Sequence, residues 1–228
     1  MSAQETVEAV FAAAQIAVLL PISPIVRRWY NHAGASSTEV QTRYSTDSLV
    51  PSPQQGYTRA ISIRAPKEIV WGYLMQLGQE RAGLYSYDAL ENLVGCEMHT
   101  VDHLVPEWQN LKVGDVVRFG PAAKGYPTQK VIEVQDKRLI VWQGVDAKTL
   151  EAGGGLNGII AYYLSDAPDG GTRLIVRSAM SYPPTFAMKL LWRITEVLNY
   201  VMEQKMLRSI RAFAERDARR MTGAAAPA

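Results

Sequence analysis

The chain opens with an uncharged apolar run, Ala9 to Val26 (AVFAAAQIAVLLPISPIV). Its length is at the short limit for crossing a hydrocarbon core, which takes about 20 apolar residues. Glu5 and Glu8 precede it where a secretory signal would carry Lys or Arg. Two outcomes stay open: a packed or surface-lying helix ending at Pro21, or a segment that spans or rests on a membrane, with Arg27 and Arg28 cytoplasmic. Residues 31–55 are polar and rich in Ser, Thr, Gly and Pro, and read as a linker or extended arm with a short helical turn near Ser36 to Gln41. Tyr57, Arg59, Ile61 and Ile63 then alternate with Thr58, Ala60, Ser62 and Arg64, a strand period. Ala65-Pro66 begins a helix with Ile69, Val70, Tyr73, Leu74 and Leu77 as its buried stripe and Gly78 at its end. Asp88 and Glu91 form a D-x-x-E pattern that predicts a reciprocal N-cap on a second short helix. From Val113 the pattern becomes strands: VVRF, QKVIEVQ, LIVWQGV, GIIAYYL and RLIVRSAMSY, the last two joined by the turn SDAPDGG. Thr185 to Met221 lacks Gly and Pro and predicts one long helix. Lys189, Arg193, Glu196, Glu203 and Arg211 form its polar stripe, with Phe186, Leu190, Ile194, Val197, Val201 and Phe213 on other faces. The sheet is the surface on which such a helix can bury its apolar side, so the expected fold is α+β, a curved antiparallel sheet wrapped around a long C-terminal helix. The expected division is an N-terminal apolar helix (1–28), a polar arm (29–55), the sheet-and-helix domain (56–221) and a disordered tail (222–228).

Composition narrows the function classes. The 228 residues are 47% hydrophobic and 20% charged, which excludes a disordered or collagen-like chain. A single cysteine, Cys96, cannot form an internal disulfide, and 24 basic against 22 acidic residues give no case for nucleic acid as a partner. The G-x-S-x-G, G-x-x-x-x-G-K-[ST] and H-E-x-x-H signatures are absent. Gly153-Gly154-Gly155 lacks the strand-turn-helix context of a phosphate loop. Cys96, His99 and His103, with Asp102 nearby, have a C-x2-H-x3-H spacing too weak to predict a metal, and no cofactor is expected. Lys205 to Arg220 carries Lys205, Arg208, Arg211, Arg216, Arg219 and Arg220 against Glu215 and Asp217. This excess suits either the helix C-terminal dipole or an anionic membrane surface.

The segments TRAISIRAPKEIVW (58–71), QLGQERAGLYSYDALENLVG (76–95), HTVDHLVPEWQNLKVGD (99–115) and DGGTRLIVRS (169–178) resemble the START/Bet v 1-like superfamily, in particular its bacterial polyketide cyclase/dehydrase and lipid-transport-like group. The polar arm RRWYNHAGASSTEV (27–40) is similar to the segment leading into such domains. The resemblance implies a helix-grip fold with a cavity between sheet and C-terminal helix that takes a hydrophobic small molecule or lipid. It implies no single reaction.

Candidate ligand-binding residues follow from that cavity. Trp142, Tyr162, Tyr163, Met180, Trp192 and Tyr200 either line it or fill the core, and alternation allows only one of Tyr162 and Tyr163 to face inward. Tyr85, Tyr87 and Glu91 stand where such pockets open. They could orient a ligand or, in a cyclase or dehydratase, move protons, although capping alone accounts for Asp88 and Glu91. Arg81 is either an anion ligand or a solvated loop residue. Arg177 shares a face with Arg173. It either faces solvent or, on the concave side, needs a carboxylate or ligand oxygen. The expected partner is a hydrophobic small molecule or lipid, with a membrane surface as a second expectation, and the expected location is cytoplasmic, free or anchored to the inner face of the membrane.

Overall fold

A computed structural model describes residues 3–151 and 157–223 of the chain. Gly153-Gly154-Gly155 and residues 224–228 of the expected tail lie outside the described residues. The architecture is α+β. Six strands, β1 (Gln55–Ile63), β2 (Val116–Arg118), β3 (Thr128–Gln135), β4 (Leu139–Val145), β5 (Asn157–Asp166) and β6 (Thr172–Ser181), form one antiparallel sheet in the order β1-β6-β5-β4-β3-β2. A register shift between Val131 and Glu133 in β3 marks a bulge, the device that bends a strand and lets a sheet curl. Two short helices, α3 (Lys67–Met75) and α4 (Asp88–Leu93), follow β1, and α5 (Phe186–Thr222) closes the fold. Pro66 is the N-cap of α3, one position earlier than its expected first-turn place. Thr185 caps α5 through its side chain and Gly223, at φ 68°, ends it in the left-handed conformation.

The curled sheet grips only the C-terminal half of α5. Met206, Leu207, Ile210 and Ala214 are buried against Val131, Ile140, Trp142, Tyr162, Leu174 and Val176 of the sheet and Val70, Tyr73 and Leu74 of α3. Each fully buried aliphatic side chain of this kind contributes about 1.5–3 kcal/mol. The N-terminal half of α5 departs from expectation. Glu196 and Glu203, read as solvent-facing, are buried, whereas Phe186, Leu190 and Ile194, expected against the sheet, are exposed.

The reason is α1 (Ala3–Asn31), which runs through Pro21 and Pro24 instead of stopping at Pro21. Its inner face (Ala12, Ile16, Leu19, Leu20, Tyr30) packs on Val197, Tyr200 and Val201 of α5 and on Tyr87. These contacts hold the turns beyond the prolines, each of which removes one helical hydrogen bond. α1 is long and apolar enough to cross a membrane, and its most apolar stretch is only 17% buried.

Residues 33–55 lie on the convex side of the sheet. Gly34 (φ 73°) approaches Ala60 so closely that a Cβ would stand 2.1 Å from its carbonyl oxygen, and Ala60 N–H donates to Ala33 O. A short helix, α2 (Ser37–Gln41), is closed by a reciprocal cap between Ser36 and Glu39. A 3-10 turn (Ser45–Ser48) follows, and Val50 is buried with Leu139, Val141, Ile159 and Ala161 in a second, convex core.

Candidate functional site

Where the N-terminal half of α5 parts from the sheet, a groove of about 700 Å³ remains. Its floor is the concave face of β3, β4, β5 and β6 at Gln129, Gly144, Gly158 and Met180. Trp192 comes from α5, and Thr128, Asp146, Lys148 and Thr149 stand at the polar end. Two strand glycines are the local cause of the space. At Gly144 an added Cβ would meet nothing closer than 3.7 Å, and at Gly158 it would strike the Met180 thioether at 2.6 Å. Glycine at 158 therefore lets Met180 lie across the floor. Trp192 stacks on Tyr182 with ring centroids 5.6 Å apart, and its Nε1 donor is buried without a partner. The Trp192 side chain adds an apolar wall to the groove.

The sequence candidates divide among three places. Met180 and Trp192 line the groove. Trp142 and Tyr162 are on the concave face but deeper, packed edge-to-face at 4.9 Å beneath α5, so the interior expected to be hollow at that depth is filled by side chains. Burial and the nearby Glu203 carboxylate hold the Tyr162 hydroxyl protonated far above its ordinary range. Tyr163 points the opposite way, as alternation requires, and its hydroxyl meets Thr46 at 2.9 Å. Tyr85 and Tyr87 border a separate groove of about 560 Å³ between α1, the start of α4 and the C-terminal half of α5. The Tyr85 hydroxyl donates to the Tyr73 carbonyl at 3.2 Å, while that of Tyr87 accepts from Gln15 Nε2 at 3.3 Å.

The other candidates, Arg177, Asp88, Glu91 and Arg81, stand outside the groove of about 700 Å³. Arg177 is on the convex face, away from the groove. Its guanidinium holds Asp47 at 2.6 and 3.1 Å and Thr58 Oγ1 at 2.6 Å, and the neighbouring Arg173 holds Glu39 in the same bidentate way. The carboxylates these arginines need thus come from the arm, and the Arg173 hydrogen bonds draw the Glu39 pKa down to about 2. Asp88 and Glu91 do not form a capping box. Asp88 instead accepts from the backbone and hydroxyl of Thr100 (2.6 and 2.7 Å), and Tyr87 is the N-cap. Glu91 is buried with Oε2 unpartnered, and burial, with the Asp88 charge as a smaller cause, pushes its pKa up to about 8. Arg81 donates to the carbonyls of Met75 and Trp108, the role of a loop brace. Among the described residues, no three His, Cys, Asp or Glu side chains stand close enough together to hold a metal, so Cys96, His99 and His103 do not converge.

The sequence reading missed a buried charged seam between α1, β1 and α5. Arg59 is wholly buried. It ion-pairs with Glu203, donates to the Tyr30 carbonyl at 2.9 Å and lies over the Tyr57 ring at 3.8 Å. The Tyr57 hydroxyl donates to Glu203 at 3.1 Å. Seven residues earlier on α5, Glu196 accepts from Arg27 (2.9 Å), Tyr30 (3.1 Å) and Asn31 (2.7 Å), which together outweigh the burial that would raise its pKa and hold it low. The detectable signal was Arg59 on the apolar phase of β1, because a charge there requires a buried counter-charge.

No protein-family model matches the sequence, and no curated protein matches it. Solved structures overlap it in part, among them the following three. A protein from Mesorhizobium loti shares 14% identity over 71% of this chain and 98% of its own (TM-score 0.42). DynU16, from the dynemicin biosynthetic locus, shares 12% over 73% of this chain and 49% of its own (TM-score 0.43). A hypothetical protein from Helicobacter pylori shares 16% over 79% of this chain and 99% of its own (TM-score 0.44).

Proposed function

We propose that this chain binds a hydrophobic small molecule or lipid, with a polar end, in the groove between the concave sheet and the N-terminal half of α5. The observation that carries this reading is the open volume of about 700 Å³ over the concave sheet, with Met180 and the Trp192 side chain among its walls. Ligand pockets of about 300–1,000 Å³ with apolar walls and few polar groups are the usual form of such sites. Met180 and Trp192 offer an apolar bed, with Thr128, Gln129 and Thr149 available to a head group. The resemblance to the START/Bet v 1-like superfamily favours the same class of ligand. A cyclase or dehydratase reading gains less support: the hydroxyls of Tyr85 and Tyr87 are engaged, and those two residues border the other groove.

Titration of the full chain with a dansylated fatty acid tests the proposal. Gly144→Phe adds a ring to the groove floor at a position with room for its Cβ. It is expected to weaken binding about tenfold or more while leaving the thermal melt unchanged. Equal affinity in the two proteins would contradict binding in this groove.

A further inference from the structure

We propose that the chain lies on a lipid bilayer, with the outer strip of α1 and the outer face of the N-terminal half of α5 buried among the lipids and α1 in the membrane plane. This goes beyond ligand binding and does not depend on the groove being filled. On α1, Val7, Val10, Phe11, Val18, Ile25 and Trp29 are between 58% and 85% exposed. They follow one side of the helix over about 33 Å at 1.5 Å per residue, and no charge falls between Glu8 and Arg27. On the N-terminal half of α5 apolar groups lie on the outside as well as on the inside, where Val197 and Val201 pack on α1. Glu196 and Tyr200 face the protein, whereas Phe186, Leu190, Leu191, Ile194 and Leu198 are bare. A helix that is apolar on its outer face as well as its inner one is built for an apolar solvent.

The charges and the aromatic residue say what that solvent is. Trp29 stands at the end of the α1 strip with the exposed Arg28 beside it, and α5 carries the exposed Lys189 beside its own strip. An amphipathic ring with cations at the edge of an apolar surface matches the level of anionic head groups.

The orientation follows from how α1 is fastened. Near its start Glu8 pairs with Lys205 at 3.0 Å, at its middle Gln15 meets Tyr87, and at its end Arg27, Tyr30 and Asn31 all hold Glu196. Drawing α1 into a spanning position would strip Glu196, which is 2% exposed, of these partners and would place Gln15, which bonds Tyr87 in the fold, in hydrocarbon. The inner face of α1 belongs to the protein, and only its outer face is available to lipid.

Flotation of the full chain with phosphatidylcholine vesicles, with and without phosphatidylglycerol, tests the surface. The wild type is expected to float with the vesicles. Val18→Glu combined with Ile25→Glu lowers the bound fraction about tenfold or more with an unchanged circular-dichroism melt, and Arg28→Gln removes about fivefold of the phosphatidylglycerol-dependent part. If the glutamates impair folding, Val18→Ser with Ile25→Ser replaces them and is expected to move binding in the same direction. For orientation, Ala3→Cys is added from outside to sealed vesicles and treated with a membrane-impermeant maleimide; the native Cys96 is buried. Immediate labelling is expected. Labelling only after detergent would mean a spanning helix and overturn the in-plane assignment. Failure of the wild type to float, flotation indifferent to the substitutions, or a soluble dimer that the glutamates convert to monomer would overturn the lipid surface.

Discussion

Glu91 is a carboxyl that the fold keeps from ionising. In the unfolded chain it titrates near its ordinary value of 4.5, and in the native protein burial holds the proton up to about pH 8. Between those values the folded state binds a proton that the unfolded state has released, so stability contributed at this site falls as pH rises from about 4.5 to about 8 and then levels off. Glu91→Gln removes the titration. Urea unfolding should show the variant gaining about 4 kcal/mol over wild type at pH 8, with the difference vanishing below pH 4.5. A constant difference across that range would mean that Glu91 is not held protonated. The same residue shows why single-residue roles were hard to read. D-x-x-E at 88–91 and S-x-x-E at 36–39 look alike as capping signatures. Only the second caps, because the Thr100 amide and hydroxyl reach Asp88 from elsewhere in the chain, and sequence spacing does not reveal that contact.

At the scale of elements, the arm is part of the sheet's structure. Glu39 and Asp47 neutralise two arginines on β6, the Tyr44 ring packs on Tyr163 at 4.7 Å, and Val50 enters the convex core. Each ion pair is partly exposed and modest alone. Together they decide whether residues 36–50 open locally. Arg173→Ala combined with Arg177→Ala should speed tryptic cleavage after Arg43 about tenfold with little change in global unfolding. Unchanged cleavage would show that apolar contacts alone hold the arm. The strands, the two short helices and the long final helix were legible because alternation, turn residues and the absence of Gly and Pro are local signals. The face that α5 buries was not. Its polar stripe was read as facing water, but α1, separated by more than 150 residues, brings Arg27, Tyr30 and Asn31 to Glu196, and β1 brings Arg59 to Glu203.

For the whole molecule, the sheet closes tightly on one half of the last helix and stands away from the other. Trp142 and Tyr162, expected to line a central hollow, fill it, and the free space moves to the end where strand glycines meet Trp192. Aromatic residues in strands could be assigned to the concave side from alternation, but depth along the helix depends on where α5 diverges. Gly144 and Gly158 carried that information as isolated glycines within strands. The most direct measurement is native mass spectrometry of the full chain purified without added lipid, compared with Gly144→Phe. An added apolar mass is expected on the wild type and is expected to be lost from the variant. A wild type without any such mass, or a variant that retains it, would contradict ligand binding in the groove.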